Sequence, residues 1–495
     1  MLSIKQGIIA SLFELFTQIT KKFVGIFSLM VLARVLTPED FGVVAVALIF
    51  LNFSNAITDS GSRHYLMSLK DMDSDHVSTA WTLSFILKNL VATVLIISSS
   101  FISDYYNDPR IGEIILVFAS IIFISTLTSP DIEYKYKNQD LKEITFLTFF
   151  SRLLTVGITV AVAVIYETYW ALVMGQLTSA VTFFFISYKI APCIPKFSLK
   201  NLSEQWNFSK WVIPRSLINF VRDQFDSIYV STSFDKSVMG AYNSMRYYGF
   251  IPFDTFIRPA FGTLLAQASQ FKDIPDYFKR QLTTVIFILL LVSIPIVFLV
   301  FSHYEFLVHL ILGEKWTQYA QLLAFFTLSS CLLGLFNLSC DIVILHSKTS
   351  IIFIYTLVST IVQLYVLISV DFEDIFELAL YKVGLDILSI CLFFIFITIK
   401  YLSFAVLLSF FYRLFLISGF MLLAGWLSNL IQPDGKILYF LIHSTMSMII
   451  YVTCILAYLY LFSSKDKSAE YIFQLLQKTF IKITKRNKAP LSPDN

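Results

Sequence analysis

The sequence predicts an all-α integral membrane protein of about fourteen transmembrane helices, with two six-helix halves around a central cavity and two extra C-terminal helices. Three observations lead to this fold: the composition, the series of apolar stretches and the charges of the loops. Of the 495 residues, 57% are hydrophobic and only 14% are charged. An ordinary soluble domain is about 25% charged, so the composition excludes a soluble protein.

Apolar stretches of membrane-spanning length follow one another along the whole chain. A helix that crosses the hydrocarbon core needs about 20 mostly apolar residues. The first, seventh and eighth stretches are the least hydrophobic. Because Glu14, Lys21 and Lys22 interrupt or follow the first one, we expect it to stay in the protein rather than to act as a cleaved signal. The predicted spans are 10–33, 41–62, 79–103, 111–130, 144–166, 168–188, 207–231, 238–265, 282–302, 319–345, 350–370, 376–399, 404–430 and 437–462.

Positive charge is unevenly distributed between alternate loops. With the N-terminus in the cytoplasm, the inward segments hold roughly four times as many lysines and arginines as the outward loops. This asymmetry is what the positive-inside rule requires. We therefore predict a multi-pass protein of a bacterial inner membrane with both termini in the cytoplasm.

A short polar turn that ends in an apolar residue and a glycine occurs twice, at 36–42 and at 234–240. Six predicted spans separate the two copies, which indicates two six-helix halves of the same orientation. The predicted divisions are an N-terminal lobe at 1–200, a C-terminal lobe at 201–400, two added helices at 401–464 and a basic cytoplasmic tail at 465–495.

Polar residues form stripes on four of the predicted spans. Residues three, four and seven apart share one face of a helix, and ionisable residues inside a membrane normally face a cavity. The stripes lie on the first, second, seventh and eighth spans, which occupy equivalent places in the two halves. The predicted substrate-binding residues are Arg215, Arg222, Arg246, Arg258, Lys21, Lys22, Asn219 and Asn243, and the predicted coupling-ion or counter-ion residues are Asp59, Asp223, Asp226, Asp254 and Glu14.

These charges also have a purely structural interpretation as ion pairs between or within helices. Arg222 and Asp226 stand four residues apart and can satisfy each other. The same spacing favours structural pairing for Lys382 and Asp386. Against such pairing for the whole set, the basic groups outnumber the acids, and burying ion pairs rarely stabilises a fold.

Motifs of catalysis are absent from the sequence. It contains no phosphate loop of the GxxxxGK[ST] type, no nucleophile elbow and no HExxH. No cluster of His, Cys, Asp and Glu has metal-ligand spacing. We therefore expect no enzyme activity, no cofactor, no metal site and no nucleic-acid partner.

Four stretches resemble motifs of the polysaccharide transporter family, the Wzx-type flippases of the multidrug/oligosaccharidyl-lipid/polysaccharide exporter superfamily. The residues at 32–42 read LARVLTPEDFG and resemble the family's first loop. Those at 312–316 read LGEKW, as in the family after the ninth span. Asp59-Ser60-Gly61 with Lys70-Asp71 and the GAYN at 240–243 are similar to two further family motifs. The chain departs from the family at Ser62-Arg63, where the family usually has Phe-Gly. It also departs at Ser244, where the family usually has Arg.

The resemblance implies transport of undecaprenyl-pyrophosphate-linked oligosaccharide repeat units to the outer leaflet for O-antigen, capsule or exopolysaccharide export. It also implies alternating access driven by H⁺ or Na⁺, with polymerase and chain-length proteins of the same pathway as further partners. Two alternatives stay open. One is a drug or cation antiporter of the same superfamily, in which an acidic and aromatic cavity is expected. The other is a membrane glycan polymerase or ligase, which usually has a large external loop.

Overall fold

Helices form all of the regular secondary structure that is described for this chain. The computed structural model describes residues 23–138, 140, 142–258, 274–431, 433–462, 470 and 473–474. Among these residues, 11 helices are long and apolar enough to cross a membrane. The predicted all-α membrane fold is therefore confirmed, and the total of about fourteen spans stays a prediction. The remaining three predicted spans are the first, seventh and eighth, which are the least hydrophobic in the sequence.

The chain forms two compact units. The first consists of Met1–Met245, Val308–Tyr319 and Leu364–Ile375, and the second of Arg246–Leu307, Ala320–Gln363 and Phe376–Asn495. The seventh span and the start of the eighth thus belong to the first unit. The lobes predicted at 1–200 and 201–400 follow the sequence repeat, which is a different criterion, and they stay a prediction.

The first unit contains long helices and two short ones of six or seven residues. In chain order they are α1 (Phe23–Val35), α2 (Pro38–Thr58), α3 (Ser62–Ser68), α4 (Ser74–Tyr105), α5 (Pro109–Thr126), α6 (Ile132–Lys137), α7 (Lys142–Tyr166), α8 (Trp170–Ile190), α9 (Leu202–Ser233) and α10 (Lys236–Pro252), whose last residues enter the second unit. α4 packs on α5, α7 packs on α8, and α2 packs against both α5 and α9.

Side-chain caps fix where the helices of the first unit begin. Thr37 and Asp40 form a capping box, in which the Asp40 amide donates to Thr37 Oγ1 at 3.2 Å and the Thr37 amide to Asp40 Oδ2 at 2.9 Å. Pro38 occupies the first helical position, where its missing N–H has no partner to lose. Pro109 likewise opens α5, where Asp108 caps the helix by accepting from the Arg110 amide at 3.0 Å. The polar turn predicted at 36–42 therefore contains the start of α2, at Pro38.

Two of the sequence motifs contact each other inside the first unit. Trp316 is buried and its Nε1 donates to the Ala33 carbonyl at 2.9 Å. Arg34 Nη2 donates to the Leu310 carbonyl at 2.7 Å. The Phe41 and Trp316 rings meet edge to face, with 5.1 Å between their centroids. The LARVLTPEDFG and LGEKW stretches thus form one packed contact, which accounts for their residue types.

The second unit consists of long helices around an aliphatic and aromatic core. Its helices are α11 (Pro275–Ile311), α12 (Gln321–Leu345), α13 (Thr349–Ser369), α14 (Ile375–Ile397), α15 (Phe404–Ser428) and α16 (Lys436–Phe462), of which α11 and α13 end in the first unit. Arg413 is buried in this core. Its Nη1 donates to the Thr283 carbonyl at 3.0 Å, and its guanidinium lies 4.7 Å from the centre of the Phe287 ring. A carbonyl and an aromatic face therefore stabilise this buried charge.

Candidate functional site

α9 carries more charged side chains than any other described helix of the first unit. It has 32 residues and is about 48 Å long at 1.5 Å per residue, which is enough to cross a membrane. Its charges explain why it is not among the helices that qualify by hydropathy. Because ionisable side chains within a span are costly in lipid, such a helix is expected to face protein or water along its charged side.

α2 runs antiparallel to α9. Ser216 Oγ donates to Asp59 Oδ2 at 2.9 Å near one end of the contact. Farther along, the Phe53 and Phe220 rings lie 5.3 Å apart between centroids. The residue number falls on α2 as it rises on α9, so the polar stripe of α2 lies beside that of α9. Two of the four predicted striped spans, the second and the seventh, thus pack against each other in the first unit.

Several polar side chains on these two helices, four of which belong to the polar stripes, have no hydrogen-bond or ion-pair partner among the residues that the structure describes. These four are Asn52 and Asn55 on α2, and Arg215 and Asn219 on α9. Asn52, Asn55 and Arg215 are exposed, and Asn219 is half-buried. An arginine fork and three amides are therefore available to a ligand along this surface, which we call the α2–α9 polar face.

The acidic residues of α9 lie in two different environments. Asp223 is exposed and accepts from Arg222 Nε at 3.0 Å. Asp226 is only 1% exposed. Its Oδ2 accepts from the Tyr242 hydroxyl on α10 at 2.8 Å. Arg222 therefore has an acidic partner one residue away, and Asp226 is tied to the neighbouring helix.

The predicted residues of the eighth span are divided between the two units. Asn243 is half-buried on the part of α10 that belongs to the first unit. In the second unit, the Arg246 guanidinium lies 6.0 Å from the centre of the Phe250 ring, and Arg258 Nη1 lies 3.7 Å from Asp254 Oδ1. Asp254 lies within the π-helical turn Phe253–Ile257, which follows Pro252, and Arg258 comes directly after this turn.

Three predicted site residues, Glu14, Lys21 and Lys22, lie outside the described residues. Two residues that hydrogen-bond to predicted site residues were not predicted from the sequence. Ser216 donates to Asp59, and Tyr242 donates to Asp226. Both contacts join different helices, and no spacing along one helix indicates them. Tyr242 entered the sequence-based prediction only as part of the GAYN stretch, which resembles a family motif.

The Lys382–Asp386 pair in the second unit is confirmed as a structural pair. Lys382 Nζ lies 2.9 Å from Asp386 Oδ1. Gln363 Nε2 also donates to Asp386 Oδ1 at 2.9 Å, and Ser329 Oγ donates to Oδ2 at 3.1 Å. The pair thus belongs to a hydrogen-bonded network across α12, α13 and α14, which satisfies both charges inside the membrane fold.

The starts of α2 and α10 touch backbone to backbone in the first unit. A Cβ atom on Gly42 would collide with the Lys236 carbonyl oxygen, and a Cβ on Gly240 would collide with the Pro38 carbonyl oxygen. Each glycine therefore lies against the first residue of the other helix. Only glycine allows so close a crossing, which we call the Gly42–Gly240 crossing.

Comparisons with known proteins agree with this architecture. The model of a family described as "Polysaccharide biosynthesis protein" matches residues 31–321. The lipopolysaccharide biosynthesis protein WzxC of Escherichia coli K12 is 19% identical, with 59% of this chain and 60% of the relative covered. The succinoglycan biosynthesis transport protein ExoT of Rhizobium meliloti 1021 is 21% identical, with 61% and 62% covered. An uncharacterized membrane protein from the cps region of Klebsiella pneumoniae is 21% identical, with 59% and 61% covered.

These matches span about three fifths of the length of the curated relatives. Among solved structures, the lipid II flippase MurJ in an inward closed conformation aligns with a TM-score of 0.74 at 14% identity, covering 90% of this chain and 98% of the other. An inward-facing MATE family multidrug transporter of the MOP superfamily aligns with a TM-score of 0.58 at 10% identity, covering 77% and 94%. At these identities the likeness concerns the fold, which is that of a membrane transporter.

Proposed function

Because the chain belongs to the polysaccharide biosynthesis protein family, we propose that it moves undecaprenyl-pyrophosphate-linked oligosaccharide repeat units from the inner to the outer leaflet of a bacterial inner membrane. Export of O-antigen, capsule or exopolysaccharide follows from this step. The observation that carries the proposal is the α2–α9 polar face, an unpartnered polar surface on helices of a membrane transporter fold.

The chemistry of this face suits the headgroup of such a lipid. A guanidinium binds phosphate oxygens through two parallel hydrogen bonds, and this geometry is rarely matched by other side chains. Arg215 is exposed and has no partner among the described residues. Asn52, Asn55 and Asn219 offer both donors and acceptors to sugar hydroxyls. The polyprenyl tail stays in lipid while the headgroup lies on the polar face.

The Gly42–Gly240 crossing supports two equivalent halves and a closed end. Pro38 and Lys236 occupy the same position in the two copies of the repeated turn, as do Gly42 and Gly240. Each glycine meets the other copy's first helical residue, as expected for related halves that face each other. In the proposed cycle, this contact seals one end of the pathway and separates when that end opens.

Coupling to an ion gradient needs a group whose occupancy differs between the two states of the cycle. The candidates are Asp59, Asp223, Asp226, Asp254 and Glu14, each as a site for H⁺ or Na⁺. Asp226 is buried against a tyrosine hydroxyl, whereas Asp59 is exposed beside the polar face. We assign the structural counter-ion role to Asp226 and the coupling role to Asp59.

Replacing Arg215 by alanine tests the headgroup role. Loss of a charge-assisted hydrogen bond costs about 1.5–3 kcal/mol, so we expect roughly a tenfold or larger fall in transport. The measurement is the amount of surface glycan made by cells that carry Arg215→Ala at a wild-type level in the membrane.

Arg152→Ala is the matched control, because Arg152 is also exposed in a span and has no partner among the described residues but lies on α7. Wild-type glycan in the Arg215→Ala strain contradicts the headgroup role. A deletion strain with normal glycan and altered drug susceptibility favours the antiporter alternative.

A further inference from the structure

A separate polar cavity lies at the end of the first unit where α2, α5 and α10 begin. Its volume is about 660 Å³, which is within the range of small-molecule sites. The first turn of α2, the loop between α4 and α5, and the connection from α9 to α10 line it. None of the predicted substrate-binding residues is among its lining residues, so it is distinct from the α2–α9 polar face.

Hydrogen bonds hold the loop between α4 and α5 against the connection from α9 to α10. The Tyr106 hydroxyl lies 3.0 Å from Ser231 Oγ. Lys236 Nζ donates to the Tyr106 carbonyl at 3.1 Å. While the Gly42–Gly240 crossing is closed, these hydrogen bonds fix the walls of the cavity before any ligand arrives, which lowers the entropic cost of binding.

A group of paired charges connects two of the residues that line this cavity, Glu39 and Lys236. Arg110 bridges Glu39 Oε1 at 2.6 Å and Asp108 Oδ2 at 2.8 Å. Lys236 Nζ lies 3.8 Å from the same Asp108 oxygen. Burial raises the pKa of Asp108, but hydrogen bonds from Arg110 and the charges of Arg110 and Lys236 outweigh burial and lower this pKa overall. The Asp108 carboxylate thus stays ionised between Arg110 and Lys236.

The inner surface of the cavity carries four groups with no hydrogen-bond or ion-pair partner in the part of the chain that is described. They are the phenol of Tyr105, the amide of Asn107, the carboxylate of Asp235 and the hydroxyl of Ser237. An exposed ring beside an amide, a carboxylate and a hydroxyl matches a ligand with apolar faces and many hydroxyls. The unpaired charge is acidic, which disfavours a pyrophosphate.

We propose that this cavity binds the saccharide part of the repeat unit, with Tyr105 stacking on a sugar ring and Asp235 and Asn107 holding its hydroxyls. The inference rests on the proposed function. In the predicted orientation the cavity lies on the outer face, beside the Gly42–Gly240 crossing. It therefore holds the glycan on the side of release, whereas the pyrophosphate is held by arginine elsewhere.

Binding of the free oligosaccharide to the full-length protein in lipid nanodiscs tests this site. The probe is the oligosaccharide released by mild acid from the lipid-linked repeat unit of the producing strain. Saturation-transfer NMR and titration give its Kd. We expect Tyr105→Ala to weaken binding roughly three- to tenfold through loss of the ring contact, and Asp235→Ala to weaken it as well.

Tyr166→Ala is the matched control, because Tyr166 is 69% exposed against 62% for Tyr105 and ends a helix of the same unit outside the cavity. Equal Kd values for wild type and Tyr105→Ala overturn the site, as does an equal loss in Tyr166→Ala. Arg215→Ala keeps oligosaccharide binding if the site exists. Normal surface glycan in Arg215→Ala cells, with binding still dependent on Tyr105, contradicts the headgroup role and leaves the saccharide site intact.

Discussion

At the scale of single residues, the hydrogen bond between Tyr242 and the buried Asp226 joins α9 to α10. Tyr242→Phe removes the donor and leaves a buried carboxylate with fewer partners, so we expect the free energy of unfolding to fall by about 1–3 kcal/mol. Thermal unfolding in one detergent measures this. Tyr365→Phe is the control because Tyr365 is exposed, and equal midpoints for both variants contradict the assignment.

Residue spacing predicted which side chains share a face and left out their partners across helices. Asp59, Arg215 and Asn219 follow from helical periodicity, and the structure places Asp59 on the contact between α2 and α9. The partners Ser216 and Tyr242 depend on how two helices are rotated against each other. A single sequence contains no measure of that rotation, so these two residues were not predicted.

At the scale of elements, the Gly42–Gly240 crossing gives a direct prediction. A valine at Gly42 collides with the Lys236 carbonyl, so we expect Gly42→Val to cost about 1–3 kcal/mol of stability and to lower surface glycan. Gly240→Val should do the same, because the two contacts are reciprocal. Both effects are read from the thermal midpoint and from surface glycan.

Gly157→Val serves as the control for the crossing, since nothing lies within 4 Å of a Cβ at Gly157 in α7. It reproduces the change in helix propensity from glycine to valine without the collision. If Gly42→Val is as stable and as active as Gly157→Val, the crossing is not a tight contact in the working protein.

Long apolar elements were predicted more closely than short or polar ones. The predicted span 404–430 corresponds to Phe404–Ser428, and 437–462 to Lys436–Phe462. The short helices Ser62–Ser68 and Ile132–Lys137 were not predicted, because six or seven residues carry too little periodicity. In the eighth predicted span, the π-helical turn Phe253–Ile257 follows directly after Pro252, which has no backbone N–H to donate.

At the scale of the whole molecule, the orientation follows from loop charge alone and stays a prediction. Asn107 and Asn138 are both exposed and lie in loops that the topology places on opposite faces. In a variant without native cysteines, Asn107→Cys should react with a membrane-impermeant maleimide in intact cells. Asn138→Cys should react only after permeabilisation. The reverse pattern contradicts cytoplasmic termini.

The membrane fold and the family were predictable from the whole sequence, whereas the compact units were not. Periodicity and the repeated turn place a boundary near residue 200, yet α9 packs on α2 and falls in the first unit. The sequence repeat defines the predicted lobes, because it shows which segments of the chain are related. The compact units depend instead on which helices pack together. The two properties differ at α9 because this helix belongs to the second half of the repeat but packs on α2, a helix of the first half.

The leaflet in which lipid-linked repeat units accumulate decides whether this protein acts as a flippase. Cells that lack this protein, or that carry Arg215→Ala, are labelled with a membrane-impermeant reagent specific for the glycan, and the lipid-linked unit is then extracted. A flippase role requires single repeat units that are protected from the reagent, on the inner leaflet, with Arg152→Ala cells like wild type. Accumulation of labelled units on the outer leaflet, as expected for a missing polymerase, would contradict it.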